Sequence, residues 1–282
     1  MSLENMVYDL LWQASLLTSW LMSCLGGKKK LTHVPSNFAL YTEKSHQMRQ
    51  VLGEYDPSMK SYSLDEACLN IGVYVSLRLQ GKEHSDIVKL LIENQKSKDA
   101  EKTFEDTGEG SLIDEPLASY PPHVVLEAAA EVVQEMRQRV FEATGGLTCS
   151  AGLAPNFMLA KIASDRNKPN GQLVVGPNHE DVLEFLHPLS TRTVGGVGRV
   201  TEKMLHALGV TSVRDLYEQR ATVQLAFKPA TANFLLRTSL GCSSMNPRMM
   251  TTIIALVAKG LVGNALSPQA GPGVRSTTTL RR

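Results

Sequence analysis

The first residues whose chemistry stands out are two neighbouring carboxylates, Asp65 and Glu66, in the segment Ser63-Leu-Asp-Glu-Ala67. They lie between two short stretches that alternate as strands do. At a hairpin turn both carboxylates can converge, and they then repel each other unless a cation lies between them. Mg²⁺ prefers oxygen ligands of this kind. The pair therefore predicts a metal site for phosphoryl or nucleotidyl transfer, although Asp and Glu are also common in turns that face only water.

A basic turn is the second candidate. Arg166 and Lys168 come just before Pro169-Asn-Gly171, which is typical of a tight turn at the start of a strand. A cation held there would bind a phosphate as a point charge. The alternative interpretation is a basic loop that is only solvated.

The third candidate is a glycine-rich segment, residues 194–198, that leads into a helix. Glycines let the backbone approach a phosphate closely, and a helix N-terminus presents free N–H groups to it. The pattern is typical of a helix-hairpin-helix, which holds a DNA backbone without reading bases. A corner where two helices pack is the alternative. The candidate backbone-binding residues are Gly196, Gly198, Arg199, Thr201 and Lys203.

Composition excludes several other classes of protein. The chain has 282 residues, a net charge of +1 and 43% hydrophobic residues, so it is neither a histone-like basic protein nor an acidic disordered chain. Its four cysteines have no zinc-ligand or disulfide spacing, which favours reduced intracellular thiols. It also lacks a Walker loop, a dinucleotide fingerprint and a Ser-His-Asp order.

The elements that must position these candidates alternate between helix and strand as far as Pro188. Helical spacing covers 37–52, 124–144, 157–164 and 180–186, and strand patterns cover 61–64, 67–73, 147–153 and 172–175. This alternation predicts a sheet covered by helices. After Pro188 the pattern is purely helical, with further segments at 213–219 and 231–240.

Three segments fall outside this pattern. Residues 6–25 are mostly apolar and precede three lysines, so they predict a membrane anchor, a buried or amphipathic helix, or a segment foreign to the fold. Residues 80–122 are polar and acidic and predict a disordered insertion. Residues 242–282 are basic, end in a run of Gly, Pro, Ser and Thr, and predict a loose tail.

Taken together, the chain resembles the Y-family translesion DNA polymerases. The residues that carry the resemblance are Tyr55-Asp-Pro, Ser63-Leu-Asp-Glu-Ala67, Ala151-Gly-Leu-Ala-Pro-Asn156, Asn167-Lys-Pro-Asn-Gly-Gln172 and Gly198-Arg-Val-Thr-Glu-Lys-Met-Leu205. Their order and separations also agree with the family. The joint match is far more specific than any one of these segments.

The resemblance implies an α+β fold with two parts. An incomplete palm, an antiparallel sheet with helices, would cover 36–187, and a small all-helical thumb with a helix-hairpin-helix would cover 188–241. Residues 1–35 and 242–282 stay unassigned. Asp65 and Glu66 would be catalytic and would bind two Mg²⁺ ions, and Lys168 would bind the nucleotide triphosphate. Gly196, Gly198, Arg199, Thr201 and Lys203 would hold primer-template DNA.

The implied activity is error-prone, template-directed DNA synthesis past lesions, in the nucleus, from deoxynucleoside triphosphates. Departures from the family pattern predict that this chain is weak or inactive. The strand with Asp-x-Asp, the fingers and the little finger are not found, and Asp9 is the one remote stand-in for the third carboxylate. Cys68 stands at a position where the family pattern has an aromatic residue. The alternative is a non-catalytic remnant that binds DNA backbone; a membrane location is not expected, and no oligomer is indicated.

Overall fold

The computed structural model describes residues 36–61, 63–101, 117–242 and 253–257. The chain divides into two units, Met1–Phe38 and Ala39–Arg282, and the description below is that of the second. The expectations for residues 1–35, including those for residues 6–25 and for Asp9, lie outside the described residues. Within the described ranges, no helix is both long and apolar enough to cross a membrane.

Ten α-helices lie in the part of the chain that the structure describes. They are α1 Phe38–Gly53, α2 Gly72–Leu79, α3 His84–Glu101, α4 Pro122–Thr144, α5 Phe157–Ser164, α6 His179–Leu186, α7 Arg199–Ala207, α8 Val213–Glu218, α9 Arg220–Ala226 and α10 Pro229–Ser239. Helix α4 buries the predicted stripe, which comprises Val125, Ala129, Val132, Met136 and Val140. It ends at Gly145, whose φ of 73° is the left-handed conformation that glycine adopts most readily.

Five strands form one sheet in the order β1-β2-β5-β3-β4. They are β1 Lys60–Ser61, β2 Glu66–Asn70, β3 Ser150–Ala154, β4 Gln172–Val174 and β5 Ile253–Val257. Strand β5 pairs antiparallel with both β2 and β3, whereas β3 and β4 are parallel. The fully antiparallel sheet was therefore a wrong expectation for the β3–β4 edge, where α5 makes the crossover that parallel strands need.

The central strand corrects the expectation of a loose tail. Residues 253–257 come from the predicted tail 242–282, yet they lie between β2 and β3. The stretch Ile-Ile-Ala-Leu-Val is rich in β-branched residues, and these favour strands. All four glycines of residues 242–282, and two of their three prolines, come after this strand. The composition of the whole segment hid a short strand within it.

The predicted disordered insertion at 80–122 is corrected for its first part, because α3 covers His84–Glu101, whereas residues 102–116 lie outside the described residues. Ile87 and Leu91, four residues apart, are buried against the core. This spacing places both on one face of the helix. Polar residues on the other faces of the helix are exposed, among them Ser85, Asp86, Lys89 and Glu93, and such residues dominated the composition from which disorder was predicted.

A polar cluster holds the start of α3 in place. Arg139 donates to Glu54 at 2.5 Å, and His84 lies 2.9 Å from the same carboxylate. Tyr55 donates to Glu135 at 2.9 Å, and burial raises its pKa. Burial opposes ionisation of Glu54, but the hydrogen bonds and charges of Arg139 and His84 lower its pKa overall. The cluster joins α1, α3 and α4.

Strand β2 is shorter than its apolar run predicted. It ends at Asn70, and Val73 lies in α2 instead. The side chain of Asn70 accepts a hydrogen bond from the backbone N–H of Gly72 at 3.0 Å, which turns the chain from strand into helix. Tyr74 and Val75 are then buried on the inner face of α2.

Two hydrophobic clusters flank the sheet. One contains residues of α1, α2, α3 and α4 together with Ala67 and Leu69 of β2. The other contains Cys68 of β2, Leu159 of α5 and residues of the later helices, among them Leu205 and Leu216. The helices after Pro188 therefore share a core with the sheet and with α5.

Candidate functional site

The two carboxylates lie where β2 begins. Glu66 is the first residue of the strand, and Asp65 directly precedes it. The hydroxyl of Ser63 donates to a carboxylate oxygen of Asp65 at 2.7 Å, and Arg49 donates to the Ser63 carbonyl at 3.0 Å. Both carboxylates are half-buried, so each keeps a face open to a ligand. The sequence predicted that both residues lie in the turn. In the structure Glu66 belongs to the strand instead.

A lysine to which the sequence analysis gave no role forms an ion pair with one of these two carboxylates. Lys161 donates to Glu66 at 2.6 Å, and their side chains are 39% and 31% exposed. It lies on α5, which Asn156 caps by accepting from the Leu159 N–H at 3.1 Å. Asn156, five residues before Lys161, was the feature of the sequence that could have pointed to this lysine, because it marks where the helix begins.

Close packing brings α5 to the sheet. A Cβ at Gly152 of β3 would lie 2.0 Å from the Ala160 carbonyl oxygen and 2.5 Å from the Ser164 nitrogen. Glycine therefore lets the helix approach the strand. This approach places Lys161 over the beginning of β2.

Cys68 lies two residues after Glu66 on β2 and is 9% exposed. Burial raises the pKa of its thiol to about 11, the nearby charge of Lys161 lowers it, and that of Glu66 raises it. Cys68 is therefore an uncharged thiol at neutral pH. It adds no anion beside the two carboxylates.

Lys168 has a different partner. Its ammonium group bonds the carboxylate of Asp165, three residues earlier, and no contact with Asp65 or Glu66 is recorded for it. Arg137 of α4 supports the turn that follows, donating to the Asn170 side chain at 2.6 Å and to the Cys149 carbonyl at 2.9 Å. The structure thus brings Asp65, Glu66 and Lys161 together and leaves Lys168 paired to Asp165.

The glycine-rich turn leads into α7, as predicted. Gly198 is the N-cap and no side chain caps the helix. Arg199 and Lys203 are exposed and Thr201 is half-buried. Gly196 has a φ of 98°, and a Cβ there would lie 2.9 Å from the ring of Phe234, so glycine is required at that position.

The side chains at this site meet part of what a hard cation needs. Asp65 and Glu66 supply the oxygen ligands that Mg²⁺ prefers, so the type of ligand fits. In the described part of the chain, no group of three or more His, Cys, Asp or Glu side chains converges. The ligand atoms are therefore of the type that a divalent cation needs, but the described residues supply too few of them.

The chain belongs to the impB/mucB/samB family, whose profile matches residues 19–165. The match begins inside the segment 1–35 that resemblance alone left unassigned. It includes Asp65, Glu66 and Lys161, and it ends before Lys168. The resemblance to Y-family polymerases is thereby confirmed.

Relatives with established names include DNA polymerase kappa from Homo sapiens, 35% identical over 249 residues that cover 76% of this chain and 28% of the relative. DNA polymerase kappa from Caenorhabditis elegans is 40% identical over 219 residues, which cover 75% of this chain and 37% of the relative. The chain thus spans about a third of the length of these relatives.

Solved structures show the same fold at low sequence identity. A DinB family error-prone DNA polymerase from Sulfolobus solfataricus superposes with a TM-score of 0.52 at 21% identity, covering 76% of this chain and 50% of that one. An insertion ternary complex of Dbh DNA polymerase gives a TM-score of 0.53 at 22% identity, covering 76% and 48%. The mixed architecture of helices and a small sheet is therefore that of the Y-family catalytic domain.

Proposed function

We propose that this chain carries part of the catalytic domain of a DNA polymerase that copies damaged templates. The observation that supports this most directly is the Asp65-Glu66 pair at the beginning of β2, with Lys161 bonded to Glu66, in a chain of the impB/mucB/samB family. The relatives carry the name DNA polymerase. Primer-template DNA and deoxynucleoside triphosphates are the proposed ligands. The nucleus is the proposed location, because the relatives named DNA polymerase kappa include eukaryotic proteins.

Asp65 and Glu66 would hold Mg²⁺ in this site. When bound, the metal would supply charge neutralisation for the triphosphate and activation of the primer hydroxyl. The chain's own residues do the positioning. Ser63 fixes Asp65, and Lys161 fixes Glu66 from the neighbouring helix.

Lys168 is the proposed contact of the incoming triphosphate. It is held by Asp165, so binding of a phosphate requires that the ammonium group exchange one anion for another. A triphosphate carries more negative charge than one carboxylate, which favours the exchange. Asp165 therefore competes with the nucleotide for Lys168.

The turn before α7 is the proposed helix-hairpin-helix contact with DNA. An N-terminus without a side-chain cap and two exposed cations, Arg199 and Lys203, favour a phosphate over other ligands. The other residues of this proposed DNA contact are Gly196, Gly198 and Thr201. Such contacts hold the duplex by its backbone and are independent of sequence.

Activity of this chain is expected to be low. The described residues bring together two carboxylates, whereas the family pattern has three, and loss of a major ligand costs several kcal/mol of transition-state stabilisation. At about 1.4 kcal/mol for each factor of ten, this lowers the rate at least about 10³-fold.

The test is primer extension by the purified chain with Mg²⁺ and four nucleotides, beside the double variant Asp65→Asn, Glu66→Gln. Both substitutions keep the size of the side chain and remove its charge. Slow extension that the double variant loses supports the proposal. Equal extension by both proteins excludes this pair as the catalytic centre, and no extension by a folded chain that still binds DNA leaves backbone binding as its activity.

A further inference from the structure

An arginine of α1 reaches the turn that carries the two candidate metal ligands. Arg49 donates a guanidinium N–H to the carbonyl of Ser63 at 3.0 Å, and the hydroxyl of Ser63 donates to Asp65 at 2.7 Å. Ser63 is thus bonded through its carbonyl to the helix and through its hydroxyl to the carboxylate. A displacement of the arginine would therefore pass to Asp65 through one residue.

Helix α1 is a fixed support for this contact. Met48 and Leu52, close to Arg49 in the sequence, are 2% and 0% exposed and belong to the hydrophobic core. Shortly after the helix, Asp56 accepts from the backbone N–H of Asn70 at 2.8 Å, at the far end of β2. The same part of the chain therefore holds β2 near both of its ends.

The two contacts differ in how well their side chains are satisfied. Asp56 also accepts from the N–H and from the hydroxyl of Ser58, at 2.9 and 2.7 Å. In contrast, the Nε–H of Arg49 is buried and has no hydrogen-bond partner among the described residues. A buried donor without a partner lowers stability, and chains keep such groups mainly at functional sites. Arg49 therefore fits a role in placing Asp65 better than a role in stabilising the fold.

We propose that Arg49 is a positioning residue that holds Asp65 in place for a divalent cation. This inference rests on the proposed function, because it takes Asp65 as a ligand of that cation. Arg49 acts through Ser63 and is not itself a ligand. The hydroxyl of Ser61 lies 2.9 Å from the same carbonyl, so that carbonyl keeps a donor when Arg49 is replaced. Replacement should then loosen the turn without leaving a buried acceptor unpaired.

Binding of Mn²⁺, measured on the full chain by electron paramagnetic resonance, tests the proposal without relying on turnover. Mn²⁺ takes the same oxygen ligands as Mg²⁺. Arg49→Met keeps an unbranched side chain and removes its donors, so it should weaken Mn²⁺ binding about tenfold. Arg49→Lys keeps a charged donor and should recover most of the affinity. Gln50→Met, at an exposed position of the same helix, is the matched control and should bind as the unchanged chain does.

A double-mutant cycle tests whether the effect passes through Ser63. Ser63→Ala removes the hydroxyl that bonds Asp65 and leaves both carboxylates in place. In that background, Arg49→Met should weaken Mn²⁺ binding no further, because the connection is already broken. Losses that add in full would overturn the proposed route.

Stability separates placement of the carboxylate from support of the fold. The midpoint of urea unfolding should stay the same or rise in Arg49→Met, since a buried unpaired N–H is removed, whereas Asp56→Ala should lower it. A fall in Arg49→Met as large as that in Asp56→Ala would show that Arg49 only supports the fold, and would overturn the proposal.

Failure of this inference and failure of the proposed function give different results. If the double variant Asp65→Asn, Glu66→Gln binds Mn²⁺ as the unchanged chain does, the pair is not a cation site and both are overturned. If that variant loses binding but Arg49→Met does not, only the role of Arg49 is overturned. Weaker Mn²⁺ binding in Arg49→Met by a chain that extends no primer would support the positioning role and count against polymerase activity.

Discussion

At the scale of single residues, Lys161 has the most direct influence on the candidate site. It bonds one oxygen of Glu66, so it orients the carboxylate and competes with a cation for it. A group that both orients the carboxylate and competes with the cation should raise the rate at saturating Mg²⁺ and also raise the Mg²⁺ concentration needed for half-maximal rate. These two effects can be separated by experiment.

Lys161→Met should therefore lower the rate of primer extension at saturating Mg²⁺ and also lower the Mg²⁺ concentration at half-maximal rate. A partly exposed, charge-assisted bond of this kind supports an effect of about tenfold on the rate. Lys161→Arg is the control, since it keeps the charge. A Mg²⁺ titration that is the same for Lys161→Met and the unchanged chain would show that Lys161 only supports the fold.

Asp165→Asn should strengthen nucleotide binding. The substitution removes the anion that holds Lys168, so the ammonium group no longer exchanges partners when a triphosphate binds. A surface ion pair contributes up to about 1 kcal/mol, which corresponds to a fall in the KM for nucleotide of up to about fivefold. Steady-state kinetics measure it, with Asp165→Asn, Lys168→Met as control. A rise in KM would argue that Asp165 is needed to place the lysine.

Asp215 should make the stability of α8 depend on pH. Backbone N–H groups of Ser212 and Thr211 lower its pKa to about 2, below the ordinary value of the unfolded chain. A carboxylate with a depressed pKa stabilises the fold above the unfolded pKa, and this stabilisation is lost as pH falls from roughly 4 to 2.

Asp215→Asn should then lower stability at neutral pH by about 0.5 to 2 kcal/mol, as loss of a cap does, and should flatten the acid side of the profile. Urea unfolding at pH 7 and near pH 3 provides the measurement. Glu218→Gln, on the same helix, is the control. An equal loss at both pH values would contradict the assignment of the effect to the carboxylate charge.

At the scale of elements, the sequence predicted those whose apolar pattern is strong and local. The stripe of α4 and its glycine stop were correct, because periodicity and a left-handed cap are local properties. Helix α3 was missed because, among its described residues, only Ile87 and Leu91 are buried in the hydrophobic core. Strand β5 was missed because its partners lie in distant parts of the chain. Asp65 and Glu66 are neighbours in the sequence, so they could be proposed as a pair from the sequence alone, and their role stays a prediction. The contact of Lys161 with Glu66 depends on how α5 crosses the sheet.

Whether α3 is a folded part of the protein can be tested by truncating one buried side chain and measuring stability. Ile87 is 0% exposed and Ile92, on the same helix, is 42% exposed. Ile87→Ala should destabilise the protein by about 2 to 5 kcal/mol, because it leaves a cavity in the core. Ile92→Ala should change stability by about 0.5 kcal/mol or less. Equal, small effects in denaturant unfolding would support the disordered insertion that composition predicted.

At the scale of the whole second unit, the two parts expected from resemblance share a core. Cys68 and Leu159 precede Pro188 in the chain, Leu205 and Leu216 follow it, and all four belong to one hydrophobic cluster. Asn156 of the earlier part also donates to the Gly241 carbonyl at 2.8 Å. Elements that share a core unfold together.

Leu205→Ala should therefore lower the stability of the sheet as well as that of the later helices, by about 2 to 5 kcal/mol. Calorimetry should show one transition for residues on both sides of Pro188, and hydrogen exchange should rise in β3 along with α7. Met204→Ala, half-exposed on the same helix, is the control. Two transitions, of which Leu205→Ala moves only one, would show that the parts are independent.

The central position of β5 has a consequence for synthesis on the ribosome. The chain emerges from its N-terminus, so β2 and β3 leave the ribosome long before the strand that lies between them. Until residue 257 emerges, two apolar strands present unpaired edges, which are prone to aggregate. The nascent chain should therefore depend on a chaperone during this interval, and a ribosome stalled after Cys242 should carry a sheet that is still open.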